Sequence, residues 1–208
     1  MNYSPVRITV CIAILAALAI TDLVNKGRNA TRWREYAFLV LCVAVAMVYG
    51  IINDQITCRI SWEYFYYGKD LARTLGPDVP PNSAALQGQA VRIGAAASWW
   101  AGLIIGAPML IANNPSRSGP QLPYARLVAR LPIVLAITAI AAAIFGVAGY
   151  DYFLNGFSRD FQDIAELNLW RPHRFMAVWG IHLGGYVGGA LAAIYAASSI
   201  HHQRRSAG

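Results

Sequence analysis

The sequence predicts an all-α polytopic transmembrane helix bundle of about five spans, with short interfacial helices in its outer loops. Two observations carry this. Of 208 residues, 57% are hydrophobic and only 13% charged, about half the charged share of a soluble domain. The apolar residues also gather in blocks of roughly 17 to 23, the length a helix needs to cross about 30 Å of hydrocarbon.

The blocks run over about 8–24, 36–52, 95–112, 131–150 and 176–200. A chain of this length suits one transmembrane domain, 1–208. The first block could be read as a signal peptide, since Ala17-Leu18-Ala19 resembles a cleavage site. Against that, one Arg precedes the block and Lys26, Arg28, Arg32 and Arg34 follow it, the wrong side for an exported chain.

Basic residues set the orientation. The segments 25–35, 114–130 and 199–208 hold nine Lys and Arg in 38 positions, whereas 1–7, 53–92 and 150–175 hold eight in 73. The denser side is assigned to the cytoplasm. The expected topology is an inner-membrane protein with a periplasmic N-terminus and a cytoplasmic C-terminus. The net charge of +7 then belongs to topology and anionic headgroups of the lipid bilayer. No basic run interleaved with exposed aromatics is present, so nucleic acid is not an expected partner. Cys11, Cys42 and Cys58 show no CxxC spacing and suggest neither a disulfide framework nor a zinc ribbon.

Acids fall on the opposite side. Asp54, Glu63, Asp70 and Asp151 are among eight acids placed outside, and only Glu35 lies in an inner loop, with Asp22 at the inner end of the first span. The outer connections are also the long ones, where function tends to sit. In one of them Trp62, Tyr64, Phe65, Tyr66 and Tyr67 crowd together. They read as an interfacial belt or as a stacking platform for a ligand. A helix can restart at Asn82 or Ser83 and run into the third span. Residues 158–169 read as a short surface helix.

Small residues recur at four-residue spacing: Gly102 and Gly106 in the third span, Ala142 and Gly146 in the fourth, and Gly180, Gly184 and Gly188, with Gly185 and Gly189, in the fifth. In lipid, such residues let backbones approach and drive packing. The last three spans should cluster about the fifth, and the same faces could serve a homo-oligomer or a larger membrane complex.

Asp54, Glu63 and His182 map to one membrane level, with Ser98, Trp99, Trp100, Asp151 and Tyr186 near it. Ionisable groups at such depth usually have a reason. Carboxylate and imidazole suit a transition metal, a proton relay or a plain hydrogen-bonded clasp. His173 is a rim candidate, and His201 and His202 lie in the basic tail.

Tyr49-Gly50 with Asp54-Gln55, Glu63-Tyr64-Phe65, Trp99-Trp100-x-Gly102-x-x-x-Gly106 and His182-x-x-x-Tyr186-x-x-Gly189 together resemble an uncharacterised family of small bacterial multi-pass proteins. The resemblance covers about residues 49–189. It implies an outer-face site rich in His and acid, and no known reaction. Asn53 and Lys69 stand where the family's pattern has His, which weakens a metal site. Motifs for nucleotides, haem c, a Ser-His-Asp hydrolase or HExxH zinc are absent. Three functions remain: a metal, redox or proton accessory with an outer-face site, a structural or assembly subunit, and a small transporter.

Overall fold

The computed structural model describes residues 5–76, 83–114, 120–153 and 169–206. Among these every regular element is helical. Five helical segments are long and apolar enough to cross a membrane, so the chain is a polytopic helical bundle. The surface helix expected over 158–169 lies almost wholly outside the described residues.

Helix α1 is Pro5–Lys26, α2 Trp33–Ile60, α3 the single turn Ala72–Leu75, α4 Ala84–Ala112, α5 Tyr124–Val128, α6 Leu131–Ala148 and α7 Pro172–Ser206. A π-helical turn, Tyr64–Gly68, follows α2, and another, Gly149–Phe153, extends α6. The end of the bundle holding Glu63 is here the acidic end, and that holding Arg204 the basic end.

Several helices run beyond their apolar blocks. The backbone ladder need not stop where the apolar side chains do. Helix α4 begins about three turns before its block, where the Ser83 hydroxyl accepts the Leu86 N–H at 3.1 Å, a standard N-cap.

Charged side chains cap helices from a distance. The N-terminal N–H groups of a helix have no partner within it. For α2 the partner comes from α1: Asp22 accepts from the N–H of Arg32 at 2.8 Å and of Trp33 at 3.2 Å. At the other kind of end, Arg204 of α7 donates to the Ala112 carbonyl that closes α4, at 2.8 Å, and to the Pro120 carbonyl at 3.1 Å. Although it lies in the basic tail, Arg204 is fully buried. Its neighbours His201 and His202 are exposed.

Glycines join the helices into two pairs, α2 with α4 and α6 with α7. A Cβ on Gly102 would lie 2.5 Å from Val43 Cα, and one on Gly184 2.5 Å from the Ala141 carbonyl oxygen. Gly188 faces Ala141 and Thr138 in the same way, Gly180 faces Phe145, and Gly106 faces Cys42. The expected cluster of the last three spans therefore takes a different form. Helix α4 belongs mainly with α2, because its glycines face that helix. The pairs meet chiefly through α4 and α7, and α2 touches α7 only lightly. A cleft is left between them.

Apolar clusters close both ends of this cleft. At the acidic end Cys58, Tyr64, Phe65, Leu86 and Phe175 pack together. At the basic end Phe38, Met109, Leu127, Leu131 and Ile200 do so. The first cluster revises the belt reading of the aromatic run. Tyr64, Phe65 and Tyr66 are buried, while Tyr67 is exposed. The π turn rotates the first three inward, and the Tyr66 hydroxyl bonds the Gly76 carbonyl.

Candidate functional site

The site lies in the cleft, one turn below the acidic-end cluster. Asp54 comes from the last third of α2 and is buried, and His182 comes from α7 three turns after its start. Their closest atoms, Asp54 Oδ1 and His182 Nε2, are 3.8 Å apart. That exceeds a direct hydrogen bond, about 2.8 Å, and falls within the roughly 3–4 Å expected for two groups bound to one central atom. Among the described residues Nε2 is buried with no hydrogen-bond partner. On the carboxylate, Oδ1 receives only a long contact from the Asn53 amide, at 3.4 Å.

Aromatic rings fix the imidazole. Tyr64 stacks on it with centroids 5.0 Å apart and planes 13° from parallel, and Phe65 meets it edge-on at 6.1 Å. Both rings come from the π turn, which brings this loop back over α7. The same turn delivers Lys69, whose ammonium lies 5.4 Å above the Tyr64 ring. The chain reverses directly afterwards at Asp70, with φ at 59°, a left-handed conformation that Asp tolerates.

Lys69 lines the same cavity as Asp54 and His182. Burial pushes its ammonium below the ordinary lysine range, and the Asp54 charge draws it partly back. The resemblance singled Lys69 out only as a cation in place of a His, which counted against the site, whereas its side chain lines the cavity. Asn53 lines the cavity too, as do Tyr49 and Tyr186. Tyr186 also stacks with Trp100 at 6.0 Å. Of the positions named with the resemblance, Tyr49, Asn53 and Asp54 of α2, Lys69 of the loop, and His182 and Tyr186 of α7 meet in one cavity.

Glu63 does not join them. Its carboxylate accepts the N–H of Trp170 at 2.6 Å and of Arg171 at 3.2 Å. These precede the first residue of α7, so Glu63 acts as a remote cap on that helix, where negative charge is favoured. The expected ligand trio of Asp54, Glu63 and His182 is therefore not assembled. No three His, Cys, Asp or Glu among the described residues lie together as a metal would need. Asp151 is exposed. His173 turns to the Tyr150 carbonyl at 2.8 Å, and Ser98 bonds the Gly94 carbonyl within its own helix at 2.6 Å. Of the residues placed at one level, Asp54, Ser98, His182 and Tyr186 line the cleft.

Below the polar groups the cavity continues as an apolar shaft. Val45 and Cys42 of α2, Ile105 of α4, and Leu135 and Val134 of α6 form its walls. It offers about 100 Å³ to the centres of water-sized molecules, where one water needs about 10–15 Å³. The glycine motifs of α7 divide here. Gly180, Gly184 and Gly188 pack on α6, whereas Gly185 and Gly189 face the cavity, and a Cβ on Gly189 would meet nothing within 4 Å.

The chain matches no family model, no curated protein and no solved structure. Geometry alone carries the site.

Proposed function

We propose that the chain is a multi-pass protein of a bacterial-type inner membrane whose working part is a proton-handling accessory site formed by Asp54, His182 and Lys69. The density of basic residues supports an orientation with the acidic end in the periplasm and the C-terminus in the cytoplasm. The site then opens on the outer half of the membrane.

One observation supports this reading above all. A buried imidazole nitrogen without a partner sits 3.8 Å from a buried carboxylate oxygen. Unpaired polar atoms are costly away from water, and this gap admits one shared hydrogen-bonding atom. The cavity has room for water there. Water or a ligand hydroxyl in that position would connect acid and imidazole into a relay. The metal reading has less support, because Glu63 is committed to backbone N–H groups and Lys69 brings a positive charge into the same cavity. Assembly through glycine faces also loses its argument. Gly102, Gly106, Gly184 and Gly188 are occupied within the chain.

Two groups this close should titrate as a pair. In a background where His173, His201 and His202 are replaced by Gln, infrared titration of isotope-labelled histidine reports His182 alone. Asp54→Asn should move its midpoint by more than about one pH unit, since a neighbouring charge at this range shifts a pKa by about that much or more. A midpoint that stays in place would overturn the proton reading.

A further inference from the structure

We propose that the cleft binds a single-chain amphipath with a neutral, oxygen-bearing headgroup, its head at Asp54, His182 and Lys69 and its chain in the shaft below. The proposal rests on the site assigned above and adds the class of molecule it takes.

The cleft has two chemical halves. Around the head position lie a carboxylate, an ammonium, an imidazole, the Asn53 amide and the Tyr49 and Tyr186 hydroxyls. They supply donors and acceptors together. An ionised Asp54 would repel an anionic head, and an ionised Lys69 a cationic one. A neutral head with hydroxyl or carbonyl oxygens meets both without repulsion. Its oxygen also suits the open space between Asp54 Oδ1 and His182 Nε2.

The lower half offers a polar molecule little, since the Thr138 hydroxyl on its wall already donates to the Val134 carbonyl at 2.8 Å. From Asp54 to Cys42 the α2 wall falls by about 18 Å at about 1.5 Å per residue, more than half of a hydrocarbon core of about 30 Å. Over that length the walls are apolar or small. With about 100 Å³ open to the centres of water-sized molecules over the whole cavity, the space suits one chain better than the two of a diacyl lipid. Entry is lateral. Helix α2 packs on α4 and α6 on α7, while α2 and α6 have scarcely any contact, and this side of the cleft is the proposed way in from the bilayer. A monoacylglycerol-type lipid and an isoprenoid quinone share the required chemistry.

The test uses a monoacylglycerol with a diazirine in its acyl chain, photolysed with the purified full-length protein in detergent, and peptide mapping of the label. The label should fall on shaft residues such as Val45 and Leu135. Ala46→Phe and Ala101→Phe, which fill the shaft from α2 and from α4, should each reduce that labelling at least tenfold. Competition on the wild type needs no variant. Monoolein or decylubiquinone should displace the probe at least tenfold better than oleate, and the stronger of the two identifies the source of the chemistry. Label confined to outward-facing residues such as Ile144 and Ile194, or oleate competing as well as monoolein, would overturn the proposal. Failure of the two readings is distinguishable. If the His182 midpoint responds to Asp54→Asn but the shaft is not labelled, the ligand proposal alone falls. If the shaft is labelled and the midpoint does not respond, the proton reading alone falls.

Discussion

Gly102→Leu and Gly184→Leu should each destabilise the protein by about 3 kcal/mol or more, the upper end of what overpacking usually costs. At both positions even a Cβ would collide with backbone, Val43 Cα at 2.5 Å in one case and the Ala141 carbonyl oxygen at 2.5 Å in the other. Backbone cannot rotate aside as a side-chain tip can, so the helices must separate. In lipid, separation forfeits the van der Waals contact that holds them. Gly189→Ala is the matched control on the same helix, because its Cβ would enter open space. Thermal unfolding in detergent should show a large drop for the two Leu variants and almost none for the control. Equal behaviour of Gly184→Leu and Gly189→Ala would reject the division of α7 into a packing face and a cavity face.

Arg204→Ala should cost a comparable amount, about 3 kcal/mol. The fully buried guanidinium serves the last carbonyl of α4 and the Pro120 carbonyl. Truncation leaves both acceptors short of a donor, at about 1–3 kcal/mol for each unsatisfied group, and opens a cavity where the buried side chain stood. Arg204→Lys should recover only part of the loss, since a single ammonium lacks the fork that spans two acceptors. Arg205→Ala, at an exposed neighbour, should be nearly silent. Unfolding midpoints of the three variants decide this, and a loss on Arg205→Ala equal to that on Arg204→Ala would point to the charge of the tail rather than to the buried contact.

These effects mark what a sequence can and cannot disclose here. Hydropathy found all five spans, because crossing hydrocarbon demands an unbroken apolar run of fixed length. It cut α2 short, since that helix continues two turns past Ile52, through Asp54 and Cys58, whereas the start of α4 at Ala84 follows the cap expected at Asn82 or Ser83. Depth arithmetic brought Asp54 and His182 together correctly. The same arithmetic added Glu63, whose partners lie 107 and 108 residues away on backbone N–H groups, and no side-chain pattern announces such partners. Lys69 was counted only as a cation standing where the family's pattern has His, and Arg204 only among the basic residues of the tail assigned to the cytoplasm. Their burial depends on a π turn in one case and on an orphaned carbonyl of another helix in the other, neither of which is written in local composition. Small-residue spacing indicated close packing but not the partner helix, so Gly185 and Gly189 looked equivalent to Gly184 and Gly188.

The claim that Asp54 and His182 form one site is tested most directly by a double-mutant cycle. Unfolding free energies are measured for wild type, Asp54→Asn, His182→Gln and the double variant, with Asp54→Asn and His173→Gln as the reference cycle. Groups that share a bridging atom should couple by about 0.5 kcal/mol or more, while separated groups add within about 0.3–0.5 kcal/mol. The Asp54–His182 cycle should therefore depart from additivity and the Asp54–His173 cycle should not. Additive energies for Asp54 and His182, equal to those of the reference pair, would contradict a shared site.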